Sequence, residues 1–313
     1  SMAVLHAAAA ASGIPLWQHL AQGRKVRIPL PEIQVFGGGA HAARRVDIQD
    51  FMVMCPGASS FAQALEWTAE VYLAAGHIMK QAGKLQGVAD EGGYWPAFRS
   101  NEEALDTLVA SILKAGFKGG DDVAISLDVA ASEFGKGGTY TLALDDRKLD
   151  TSAMIDMLGR WCEAYPIVSI EDPVAEDDAE GFVAFTRAYG GRCQVIGDDF
   201  LVTNAARVRK AAADGAATAV LIKPNQAGTV TETRAALDAG KAAGFGTIVS
   251  ARSGETEDVT IVHLAIGWDT GQLKVGSFSR SERMAKWNEC LRIEEALGRD
   301  AVFAGRGALG FRR

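Results

Sequence analysis

From about residue 120 onward, short β-branched and apolar runs alternate with stretches whose apolar positions recur every three or four residues. The runs occupy residues 123–127, 167–170, 195–197, 220–222, 247–249 and 272–273. The last five end at 170, 197, 222, 249 and 273. A step of about 25 residues is what one strand, one crossover helix and two short loops occupy. The helical stretches between them, 179–189, 204–213, 229–242 and 257–267, keep their apolar residues on one face. Thr203-Asn204 and Gly228-Thr229 supply capping residues at two of the starts. Fully apolar strands alternating with helices predict a parallel sheet covered by helices. Six or more such units on one chain favour an α/β fold closed into a barrel over an open sheet.

The first third is less regular. An Ala-rich helix is predicted over residues 2–16, and residues 26–30 and 33–36 read as strands pairing around Pro31. Long helices follow over 60–82 and 101–115, separated by a loop holding Asp90-Glu91-Gly92-Gly93. Residues 135–151 read as a small β-hairpin turning at Gly137-Gly138. No stretch rich in Pro, Ser or charge marks a second domain.

Composition narrows the function classes. An apolar fraction of 48% in 313 residues is ample for a large core and excludes disorder. Thirty-nine acids against 32 Lys and Arg give a net charge of −7, which argues against nucleic acid as a partner. The basic patches Arg44-Arg45, Arg207 to Lys210 and Arg312-Arg313 are short and read as solvated surface. Cys55, Cys162, Cys193 and Cys290 are widely spaced, which fits reduced thiols of a cytoplasmic protein better than a disulfide framework. No apolar run reaches the roughly eighteen residues of a membrane span, so a membrane is not an expected partner. His6, His19, His77 and His263 fall within helical patterns and read as structural or surface residues.

In a (β/α) barrel the chemistry gathers where strands end. Asp128, Glu171 and Asp198 follow three runs; Lys223 and Lys274 follow two others, and Ser250-Ala251-Arg252 follow a third. Three carboxylates at one barrel mouth repel unless a hard cation with oxygen ligands, such as Mg²⁺, gathers them. Two lysines opposite are then placed for acid–base work. A lysine near a cation and a second lysine has its charged form disfavoured, so it can act as a neutral base. Metal plus lysine is suited to removing a proton beside a carboxylate.

The motifs Ser169-Ile170-Glu171-Asp172-Pro173, Gly197-Asp198-Asp199, Ile222-Lys223-Pro224-Asn225-Gln226, Arg252-Ser253-Gly254-Glu255-Thr256-Glu257-Asp258 and Arg280-Ser281-Glu282-Arg283 occur in this order. With Leu291-Arg292-Ile293-Glu294-Glu295, they make the chain resemble the enolase family from about residue 1 to 305. The resemblance implies a (β/α)8 TIM-type barrel of the enolase kind over residues 1–313, without the family's N-terminal capping domain. It implies Mg²⁺ held by Asp128, Glu171 and Asp198, Lys223 as general base, and Lys274 on the substrate carboxylate. Glu91 would be the general acid, with Asp50 beside it. Arg252 and Ser253 would bind phosphate, and His41 and Gln49 would sit on mobile loops over the substrate. A homo-oligomer is implied by the same resemblance.

Three positions depart from the family's pattern. Asp50 stands where a glutamate follows the glutamine, Ala251 stands for a histidine, and Pro224 replaces a β-branched residue beside the lysine. The expected activity is reversible Mg²⁺-dependent dehydration of 2-phosphoglycerate to phosphoenolpyruvate. Asp50 and Ala251 keep open a diverged relative acting on a related phospho or phosphono carboxylic acid. A non-catalytic binding barrel is the third reading, opposed by the intact acid and lysine set.

Overall fold

The computed structural model describes residues 1–310, so Arg312-Arg313 lie outside the described residues. The chain opens with α1 (Met2–Ala11) and α2 (Leu16–Ala21), then a strand pair, β1 (Leu30–Gly37) and β2 (Asp50–Met54). Helices α3 (Phe61–Gln81) and α4 (Asn101–Lys114) precede β3 (Ala124–Asp128). A three-stranded excursion follows: β4 (Gly135–Lys136), β5 (Thr139–Leu142) and β6 (Arg147–Asp150). Helix α5 (Thr151–Ala164) then leads into β7 (Ile167–Glu171), α6 (Ala179–Tyr189), β8 (Gln194–Gly197), α7 (Ala205–Asp214) and β9 (Ala219–Ile222). The last stretch holds the short α8 (Pro224–Ala227), α9 (Val230–Ala242), β10 (Gly246–Ser250), α10 (Thr260–Gly267), β11 (Gly271–Gly276) and α11 (Ser281–Leu297).

Eight strands close into a barrel in the order β1–β11–β10–β9–β8–β7–β3–β2. Strand β2 runs antiparallel to both neighbours, while the remaining pairs are parallel. The expected irregular first pair is therefore real, but its members differ from those predicted. Residues 26–29 are not the partner strand. Ile28 instead donates its N–H to the Val302 carbonyl (2.8 Å) and accepts from Ala304 N–H (2.9 Å), since Pro29 and Pro31 withhold donors that a ladder on that side would need. The true partner, β2, was missed because Asp-Phe-Met-Val-Met offers one β-branched residue and no alternation.

The helix starts explain themselves locally. Ser60, Ser100, Asn204 and Thr229 each accept N–H groups of the first turn with their side chains, satisfying donors that have no partner inside the helix. The predicted helix over 2–16 breaks at Ser12 to Pro15, where Gly13 takes φ +66°. The hairpin over 135–151 gains a third strand, and the helix predicted from 257 begins at Thr260.

Ile125, Leu127, Ile170, Val195, Val220 and Val249 pack with the surrounding helices in one large buried cluster that also takes in Cys55, Cys162, Cys193 and Cys290. The barrel's lower end is closed by a separate cluster, Leu30, Met54, Ala124 and Val168 with Ala304, Ala308 and Leu309 from the chain's last turns. With that end filled, the upper end is left for polar side chains. No helix among the described residues is long and apolar enough to cross a membrane.

Candidate active site

Strand register gathers the upper residues. Asp50 pairs with Asp128 across β2 and β3, and Asp128 with Glu171 across β3 and β7. On the far side Lys274 of β11 lies between Glu32 of β1 and Ser250 of β10. A cavity of about 290 Å³ opens there, lined among others by His41, Gln49, Asp50, Glu91, Asp128, Asp198, Lys223, Ala251, Arg252, Ser253 and Lys274. Every catalytic and substrate-binding residue expected from the sequence lines this one opening, and Glu171 joins it through Lys274.

The Lys274 ammonium donates to Asp128 Oδ2 (2.7 Å) and Glu171 Oε2 (2.8 Å) and lies 3.6 Å from Asp50 Oδ2. The Lys223 ammonium pairs with the Asp198 carboxylate. Gln226 Nε2 donates to the other Asp198 oxygen (2.9 Å), and Thr203 Oγ1 links Gln226 to the Lys223 backbone. Asp172 accepts the N–H groups of Asp198 and Asp199 (3.0 and 2.8 Å), shaping the turn after β8. Gln49 Nε2 donates to Asp128 Oδ2 at 3.1 Å.

Asp128 and Glu171 meet on the Lys274 ammonium, while Asp198 pairs with Lys223. Their chemistry nonetheless fits a hard cation. Glu171 is fully buried, and its Oε1 has no hydrogen-bond partner. Burial, with Asp128 and Asp198 nearby, pushes its carboxyl well above the usual range. Buried oxygens in mutual repulsion are what a divalent ion with oxygen ligands would relieve. Asp172, Asp198 and Asp199 also place one oxygen each within 4.8 Å of one another, but Asp172 is committed to backbone N–H groups.

The neutral lysine is expected beside a cation, whereas the carboxylates alone act the other way. Burial alone would lower the Lys223 pKa, yet Asp198 and Glu171 outweigh it and hold the ammonium above its ordinary value.

A second constellation faces the first. His41 Nδ1 donates to Asp50 Oδ1 (3.2 Å), and Glu91 lies beside them within 4.8 Å. Burial would raise Asp50, but His41 and Lys274 hold it down at about 2. Burial would lower His41, yet Asp50 lifts it to about 9. Glu91 moves the other way: burial and the Asp50 charge push its carboxyl up. The two neighbouring acids are shifted in opposite directions, the pattern that separates acid from base roles in a shared pocket.

Arg252 and Ser253 follow β10 at the exposed rim. Their segment is fixed from below by α11. Arg283, fully buried, donates to the carbonyls of Arg252 and Ser253 (2.6 Å each) and of Val275 (2.9 Å). Lys286 donates to the Thr256 carbonyl at 2.6 Å. Ala251 is 6% exposed and presents a methyl group to the cavity. Gln34 and Lys286 were not among the residues singled out from the sequence, where nothing distinguishes them from ordinary strand and helix positions, and Thr203 and Gln226 stood there only as a capping residue and a motif position.

Comparison with known proteins agrees with this geometry. The family described as enolase, C-terminal TIM barrel domain, matches residues 25–310. Enolase 1 of Desulfitobacterium hafniense (strain Y51) is 49% identical over 310 residues, which cover 98% of this chain and 71% of that protein.

Proposed function

Because the chain belongs to the enolase family of hydro-lyases, we propose that it catalyses the reversible dehydration of 2-phosphoglycerate to phosphoenolpyruvate with Mg²⁺. The observation that carries this reading is the facing of Asp128, Glu171 and Asp198 against Lys223 and Lys274 at one barrel mouth. Asp128, Glu171 and Asp198 would hold the ion. When bound, Mg²⁺ supplies positive charge that stabilises the doubly ionised carboxylate formed as the α-proton leaves.

Lys223 takes that proton at Nζ. A cation held by Asp198 would supply positive charge that favours the neutral amine at Lys223. Lys274, which holds Asp128 and Glu171 in the structure, would donate to the substrate carboxylate. Glu91, whose carboxyl burial and the Asp50 charge push toward its protonated form, gives its proton to the departing hydroxide. Arg252 offers a planar fork of donors to the phosphate, with Ser253 beside it. Cationic His41 lies over the leaving-group side, and Gln49 steadies Asp128 from above.

A second reading has one observation in its favour. The Ala251 methyl leaves room and no hydrogen bond at a strand end beside the reacting groups, which suits a related phospho or phosphono carboxylic acid of different shape. The deciding experiment follows phosphoenolpyruvate absorbance from 2-phosphoglycerate with Mg²⁺ and again with chelator. Turnover that stops with chelator is expected. Absence of turnover at any Mg²⁺ concentration would reject 2-phosphoglycerate and turn attention to phosphono acids.

A further inference from the structure

Gln34 is fully buried in β1, and both ends of its amide are committed. Its Nε2 donates to Asp50 Oδ1, and its Oε1 accepts the N–H of Gly93 at 2.8 Å. Gly93 closes the tight turn that carries Glu91: Ala89 N–H reaches the Gly93 carbonyl (2.8 Å), and Tyr94 N–H reaches Val35 on β1 (2.8 Å). The amide fits closely. A Cβ on Gly93 would stand 2.5 Å from Gln34 Oε1, and one on Gly37 would stand 3.2 Å from either amide end.

We propose that Gln34 is a positioning residue that fixes the distance between Asp50 and the Glu91 turn, and so aims the proton that Glu91 delivers. One side chain spans from the Asp50 carboxylate to the backbone of the turn that carries Glu91, while His41, which meets Asp50 through its ring and takes the Asp90 N–H on its carbonyl (3.1 Å), braces the other arm of that turn. A shift of about 1 Å in a catalytic group typically costs on the order of a hundredfold in rate. Asp50 has a short side chain, so it reaches Gln34 from β2 without displacing the amide. This inference rests on the reading of Glu91 as general acid.

The test uses Gln34→Met, which fills similar volume with neither polar contact, and Gly93→Ala, which keeps Gln34 but pushes a methyl onto its oxygen. Gly93 does not have positive φ, so alanine is not strained there by its backbone. Each change should lower kcat for dehydration at least about tenfold, with KM altered by less than about threefold. Exchange of the substrate α-hydrogen with deuterated solvent should persist, since Lys223 is not displaced. The double variant should be no slower than the slower single one, because both break the same contact. Independently of substrate, amide hydrogen exchange at Gly93 should quicken in Gln34→Met while circular dichroism stays unchanged. Additive losses, or a raised KM with intact kcat, would overturn the positioning role. Unchanged Gly93 exchange in Gln34→Met would overturn the tether itself. If the unaltered protein neither exchanges nor dehydrates 2-phosphoglycerate, the reading of the reaction fails, and the Gly93 measurement still decides the tether.

Discussion

Asp50 and Glu91, two buried carboxyls in one pocket, shift in opposite directions, because nearby cations outweigh burial at Asp50 whereas burial and the Asp50 charge outweigh them at Glu91. Asp50 has the His41 ring and a share of Lys274, whereas the Arg283 guanidinium is 4.0 Å from Glu91 Oε1. Glu91→Gln should therefore cut dehydration by at least about a hundredfold while leaving α-hydrogen exchange within about tenfold. Lys223→Ala should abolish both, and equal losses in both variants would mean that the roles are not divided in this way. The His41–Asp50 pair also has a pH signature. His41 rises from 6.5 to about 9 on folding, so its contribution is complete below pH 6.5 and is lost as pH climbs through 9. The ceiling is about 3 kcal/mol at 1.36 kcal/mol per unit, less after solvent screening. Urea unfolding of the native chain should weaken over that interval, and His41→Gln should flatten the dependence. At this scale the strand-end acids and lysines were legible because a barrel puts strand ends together. Gln34 was not legible, since its partners lie 16 and 59 residues away and an amide inside a strand carries no local signal.

Helix α11 shows how an element can serve a site it does not line. Two buried cations on it, Arg283 and Lys286, hold the carbonyls of the segment that presents Arg252 and Ser253. Arg283 does so with a planar fork, which lysine cannot reproduce. Arg283→Lys should raise KM for a phosphorylated substrate about tenfold, roughly 1.4 kcal/mol of lost binding, with a smaller change in kcat. An unchanged KM would show that the 252–258 segment holds its shape without α11. Periodicity gave most elements to within three residues, because capping side chains and apolar stripes are local. It failed for β2, whose strand identity comes from β1 and β3 on either side, and for the end of α1, where Ser12-Gly13-Ile14-Pro15 breaks a helix that the preceding alanines favour.

For the whole molecule, the concentration of acids at one end of a closed barrel makes stability responsive to cations. If Asp128, Glu171 and Asp198 gather Mg²⁺, a concentration one hundred times the dissociation constant should add about 2.7 kcal/mol to folding. Thermal unfolding with and without Mg²⁺ measures this, and Asp198→Asn should remove most of the gain. No shift in the native protein would count against the ion site. The barrel, its closure included, was legible from the repeating step of strand and helix, whereas the register at its seam was not, because β1 and β11 lie at opposite ends of the sequence.

That closure has a consequence during synthesis. One side of β1 bonds to β2, which emerges soon after it, but the other side bonds to β11 at residues 272–276. At ribosomal rates of about 5–20 residues per second, the second side waits on the order of ten to fifty seconds with its ladder unanswered. An open, largely apolar strand edge held that long invites pairing with another nascent chain. Glu32 and Pro31 on β1 act against this, one by charge and one by lacking an N–H. A chain ending at residue 270 keeps β1 permanently in that waiting condition, and it should collect in the insoluble fraction on expression unless a chaperone is supplied. A soluble, monodisperse product from that shortened gene would mean that the seam between first and last strands is not what keeps these chains apart.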